Sequence, residues 1–164
     1  MSAIIGFYRG STPDSGGRLL AEILAWDDDR LESVHDLIQW LFPLPERSAF
    51  NIAAPLLTPD DIAAFRGDPA LQAALKHSFE RMLQFYGFAR DGVTIVHSSG
   101  AAEWLTQGNH NFLRITRILR SLSLLGVRAE AEDFLAALET LYTSGADRII
   151  GPRTREFWRG AVRS

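Results

Sequence analysis

The stretch NHNFLRITRILRSLSLLG (109–126) decides how the chain folds. Phe112, Ile115, Ile118, Leu119, Leu122 and Leu125 recur at the spacing of one helical face, which predicts a helix over 109–125 with that face buried. Asn109 stands where an N-cap belongs, and Gly126 closes the pattern. His110, Arg114, Arg117 and Ser121 fall along one flank, with Arg120 beyond them. Three arginines on one helix of an otherwise acidic chain have two readings. They form a strip for a carboxylate, a phosphate or an acidic partner, aided by the helix start near His110 and Asn111. Alternatively they pair with Asp27–Asp29, Glu32 or Glu103 and hold helices together, which is the favoured reading.

Upstream, LESVHDLIQWLF (31–42) repeats the helical period. Leu31, Val34, Ile38, Leu41 and Phe42 make one stripe, Leu37 widens it, and Trp40 lies round the other side, so the helix is packed on two sides. Asp29 with Glu32 resembles a capping box and Pro43 stops the chain, giving one helix over 30–42. His35 and Gln39, four apart, then share a flank. As a catalytic pair they lack an orienting partner, a nucleophile or a metal. A histidine and a glutamine satisfying polar groups at the edge of a core is the favoured reading.

Further signals divide the rest. Residues 1–16 read as irregular. Leu19, Leu20, Ile23 and Leu24 predict a helix over 18–26. Thr58-Pro59-Asp60-Asp61 opens a helix over 59–66, and Asp68-Pro69 opens a longer one over 69–86, closed by Gly87. Its inner face is Leu71, Leu75, Phe79, Met82, Leu83 and Tyr86. ARDGVTIVHSSGA (89–101) contains a turn and a short strand-like run, and without a visible strand partner an extended loop is preferred to a ribbon. A helix over 129–144 and a short one over 154–162 complete an all-α, single-domain bundle of about six or seven helices spanning 1–164.

The composition is that of a globular protein: 164 residues, 46% hydrophobic, 23% charged. A net charge of −3 argues against nucleic acid as a partner. The absence of cysteine removes disulfides and thiolate zinc sites, and His35, His77, His97 and His110 show no ligand spacing, so no metal or cofactor is expected. There is no signal peptide and no apolar run long enough to cross a bilayer, which predicts a soluble intracellular, cytoplasmic protein.

The segments FYRG (7–10), LESVHDLIQWLFPLPERSAFN (31–51), PLLTPDDIAAF (55–65), MLQFYGF (82–88) and HNFLRITRILRSLSLLG (110–126) together resemble the conserved region of the opioid growth factor receptor family. The resemblance spans roughly residues 5–160. It implies an all-helical domain. For animal members it implies binding of methionine-enkephalin, negative control of proliferation, and association with the nucleus and its envelope. It also implies that these residues correspond to the conserved region, without the repeat-bearing extension and basic nuclear-targeting clusters of the animal proteins.

The expected function is a non-catalytic domain that binds a peptide, a small anionic ligand or a protein partner. The alternatives are an enzyme or nucleic-acid-associated factor using the histidine and arginine flanks, or a structural oligomerisation module. The candidate ligand-binding residues are His35, Gln39, Trp40, Asn51, Trp104, His110, Asn111, Arg114 and Arg117, on a surface where the two flanks approach each other.

Overall fold

The computed structural model describes residues 1–49, 51–98 and 102–163. The chain divides into two compact units, Met1–Ser78 and Phe79–Ser164, with the boundary inside one long helix.

The first unit opens with α1, Ala3–Tyr8, where the sequence had suggested irregular chain. Ser2 Oγ accepts from the Ile5 N–H at 3.2 Å and starts the helix. Ile4 through Tyr8 are all buried. A helix apolar on every side carries no amphipathic stripe, so periodicity could not reveal it. A Cβ at Gly6 would stand 2.4 Å from Thr12 Oγ1, so any larger residue would make the Thr12 side chain shift, because the following turn folds back over the helix.

Helix α2, Leu20–Leu24, is shorter than its apolar pattern. The buried Asp14 explains this. Its Oδ1 accepts from the N–H groups of Gly16 and Arg18, both at 2.9 Å, and its Oδ2 from Arg18 Nε at 2.8 Å. That loop holds Arg18 outside the helix. Arg18 reaches on to Asp36 at 3.0 Å.

The expected helix over 30–42 is two helices, α3 at Asp28–Ser33 and α4 at Ile38–Leu41. Its cap is Asp27, whose Oδ1 accepts from the Arg30 N–H at 2.9 Å, rather than an Asp29–Glu32 box. Val34 turns extended, with φ −96° and ψ 114°, and breaks the helix. The burial pattern accounts for the break. Leu37 through Leu44 is a continuous buried run, which no single helical stripe can supply, whereas α3 buries only Leu31.

Thr58 and Asp61 form a reciprocal capping box at 3.1 and 3.0 Å that starts α5, Pro59–Gly67. Helix α6 runs over Pro69–Tyr86, and its six predicted inner residues are all at most 1% exposed. In the first unit the Tyr8 hydroxyl donates to the Leu41 carbonyl, and the Tyr8 ring packs on Phe65, with centroids 5.2 Å apart.

The second unit begins in the last turns of α6 and continues into a hairpin, β1 at Phe88–Asp91 and β2 at Thr94–His97. The strands are antiparallel, pairing Phe88 with His97 and Asp91 with Thr94. The chain is therefore predominantly helical rather than purely all-α, and the preferred loop over 89–101 is corrected as far as it is described; residues 99–101 lie outside the described residues. Two short strands persist because they are packed and pinned. Phe88 meets Phe134 with centroids 5.4 Å apart, and Arg90 binds Glu80 at 2.6 Å and also Glu130.

Helix α7 covers Asn111–Leu124 and α8 covers Arg128–Leu141. Asn109 does assist the start of α7, its Oδ1 accepting from the Asn111 N–H at 2.9 Å. The predicted buried face holds: Ile115, Ile118, Leu119, Leu122 and Leu125 are 0% exposed and Phe112 is 6%. A widened turn at Tyr142–Ala146 leads into α9, Asp147–Ile150, and α10, Pro152–Arg163. Trp158 fixes α10 to α7, its indole N–H donating to the Phe112 carbonyl at 3.1 Å. Glu139 fixes α10 to α8 by accepting from Arg155 at 2.8 Å and Arg159 at 2.6 Å.

Candidate functional site

The predicted site residues divide between the two units. His35, Gln39, Trp40 and Asn51 belong to the first; Trp104, His110, Asn111, Arg114 and Arg117 belong to the second. His35 lies in the bend between α3 and α4 and is exposed, so it does not share a helical flank with Gln39. Gln39 and Trp40 are both 6% exposed. Gln39 Oε1 and Trp40 Nε1 are buried without a hydrogen-bond partner among the described residues. Trp40 packs on Phe7, with centroids 5.3 Å apart. Asn51 is half-buried, its N–H donating to Ser48 Oγ at 3.2 Å.

In the second unit, Trp104 is a core residue. Its indole N–H donates to the Tyr86 carbonyl at 2.9 Å, and its ring contacts Tyr86, Phe88, His97 and Phe112. Asn111 is 1% exposed and its Oδ1 accepts from the Tyr86 hydroxyl at 3.1 Å. Only His110 of this group is fully on the surface. Arg114 is 6% exposed. A cation at that depth persists only when paired or hydrogen-bonded, and neither Arg114 nor Arg117 is a free charge. Ser121, on the same flank, is fully buried.

Surface concavity in the first unit lies elsewhere. A groove of about 420 Å³ is lined by Tyr8, Arg9, Gly10, Leu20, Ala21, Leu24, Ala25 and His77. It is built from the end of α1, one face of α2 and the middle of α6. Leu20, Ala21, Leu24 and Ala25 supply an apolar floor, because the short α2 turns Leu20 and Leu24 to one side. Arg9 and His77 stand at the rim, both exposed. Arg9 Nη2 donates to Asp68 Oδ2 at 2.8 Å. That bond, followed by the Ala70 backbone N–H, holds the Asp68 carboxyl below the usual carboxylate range. A guanidinium has five N–H donors, so Arg9 keeps donors for a further acceptor. Gly10, with φ 75°, lets the chain turn away immediately after Arg9. Sequence reasoning missed this groove because its walls come from three separate segments. The RG pair after an aromatic in FYRG was the available signal.

Among the described residues, no group of three or more His, Asp or Glu side chains is placed to hold a metal ion. No helix is long and apolar enough to cross a membrane.

The profile of the opioid growth factor receptor (OGFr) conserved region matches residues 5–146. The chain belongs to the opioid growth factor receptor family. It is 39% identical over 133 residues to the opioid growth factor receptor of Rattus norvegicus, covering 75% of this chain and 23% of that protein. It is 37% identical over 133 residues to the opioid growth factor receptor of Homo sapiens, covering 75% of this chain and 20% of that protein. It is 34% identical over 134 residues to the opioid growth factor receptor-like protein 1 of Mus musculus, covering 73% of this chain and 28% of that protein. The chain thus spans about a quarter of the length of these relatives. No solved structure matches it. In this member of the family, the groove of the first unit lies inside the matched segment, whereas α10 lies beyond it.

Proposed function

We propose that this opioid growth factor receptor-like domain is a non-catalytic peptide-binding module, and that its peptide lies in the groove between α1, α2 and α6. The observation that carries this reading is the groove's composition: an apolar floor with a guanidinium at its edge, within the segment matched by the family. A short peptide with apolar side chains and a free carboxylate complements both parts. Its side chains cover Leu20 and Leu24, and its carboxylate takes the donors that Arg9 does not spend on Asp68. His77 adds a second polar group on the facing helix. The names of the relatives support a receptor role, and methionine-enkephalin, implied by the family resemblance, is the probe to use.

The test is calorimetric titration of the domain with methionine-enkephalin, using wild type, Arg9→Gln with His77→Ala, and Arg117→Gln. The reading expects saturable binding that the first variant loses and the second keeps. No heat of binding to wild type rejects the peptide role. Binding lost in Arg117→Gln but kept in the groove variant moves the site to α7.

A further inference from the structure

The last helix presents an outward face that the packing of the second unit does not use. Helix α10 carries Arg153, Arg155, Arg159 and Arg163 against a single acid, Glu156, and Arg148 lies on the preceding α9 next to Asp147. Arg155 and Arg159 are spent on Glu139, and Trp158 on the Phe112 carbonyl, so α10 is anchored on its inner side. Arg148 and Arg153 have no carboxylate partner among the described residues. Arg163 meets Glu156 only at 3.8 Å, with 67% of its side chain exposed. Phe157 on this helix is a large aromatic left 52% exposed, with the Arg153 guanidinium 5.5 Å from its ring centroid. One turn on, a Cβ at Gly160 would meet nothing within 4 Å, so another chain can approach the helix closely there.

We propose that the outer face of α10, together with Arg148 on the preceding α9, docks an acidic segment of a partner protein, with Phe157 packing against an aliphatic side chain and Arg148 and Arg153 binding carboxylates of that segment. An exposed aromatic with an arginine against its ring is the composition of an interface anchor. The unspent positive charge fixes the sign of the partner. A lipid surface is the poorer match: it needs a broad apolar face, and Trp158, Ala161 and Val162, the other apolar residues of this helix, are buried. This surface lies past residue 146, so it shares no residue with the peptide groove or with the matched conserved region.

The experiment is a fluorescence-anisotropy titration of the full chain with a labelled peptide of glutamates carrying one leucine, and with its lysine counterpart. Anionic phosphatidylserine vesicles are a third arm. The acidic peptide binds, the lysine peptide does not, and added salt weakens the complex. Phe157→Ala and the double change Arg148→Gln/Arg153→Gln each weaken binding by about tenfold or more, the loss expected of an interface anchor. All of these residues are exposed, so a thermal melt should confirm that the variants fold. Absence of acidic-peptide binding, binding unchanged in the folded variants, or vesicle binding without peptide binding each overturns the proposal.

Discussion

The Tyr8 hydroxyl lies 3.1 Å from Ser78 Oγ, joining the first helix of the chain to the middle of its longest one. Burial pushes the Tyr8 phenol far above the usual tyrosine range, and the Ser78 hydrogen bond only partly offsets this. A raised folded value means that Tyr8 contributes stability fully below the ordinary tyrosine value of 10.0 and loses it as pH rises beyond that. In a spectrophotometric alkaline titration, Tyr8 should therefore ionise only as the protein unfolds, and Tyr8→Phe should reduce the amplitude of that late step by one tyrosine. A Tyr8→Phe curve identical to wild type would contradict the placement. The same change should cost about 1–3 kcal/mol, because it strands the buried Leu41 carbonyl.

Glu139 gives the opposite pH dependence. Partial burial pushes its carboxyl up, but the hydrogen bonds and charges of Arg159 and Arg155 outweigh burial and hold it below its ordinary value of 4.5. Its contribution is present above that value and is lost as pH falls through the lower folded one. Glu139→Gln should cost about 1 kcal/mol at neutral pH. Urea melts should show the gap between wild type and variant narrowing in acid. A gap that stays constant to the acid limit would mean that the clamp on α10 contributes nothing.

Ile118, 0% exposed on α7, tests the core of the second unit. Truncation to alanine should cost about 2–5 kcal/mol, the loss of buried methyl groups plus the cavity left behind. An unchanged denaturant midpoint would place this face of α7 outside the core.

Gln39 should behave unusually for a buried residue. Its Oε1 is buried without a partner, so the folded state carries an unpaid desolvation cost. Gln39→Leu should leave the thermal midpoint unchanged or raise it. A loss like that of Ile118→Ala would show that the amide is engaged.

Elements with signals at both ends could be read from the sequence. Helices α5 and α6 carry Thr58-Pro59 and Asp68-Pro69 at their starts, and Gly87 closes α6, so their bounds agree with expectation to within a residue. Local pattern failed where tertiary contacts decide. Helix α1 is buried all round and shows no stripe. The break at Val34 interrupts a period that continues on paper, and it removed the basis for pairing His35 with Gln39. The hairpin depends on Phe134, Glu80 and Glu130, which are remote from it in sequence. Trp104 and Asn111 stood among the candidate binding residues because local sequence cannot show that both hydrogen-bond to Tyr86 in the core. The groove was illegible for the same reason, its polar rim coming from Arg9 and His77.

The measurement that bears most directly on the peptide-binding account is amide chemical-shift mapping of the domain titrated with methionine-enkephalin. The account predicts saturable shifts clustered at Tyr8–Gly10, Leu20–Ala25 and around His77, with little change along α7. Shifts confined to His110–Arg117, or no shifts at saturating peptide, would contradict it.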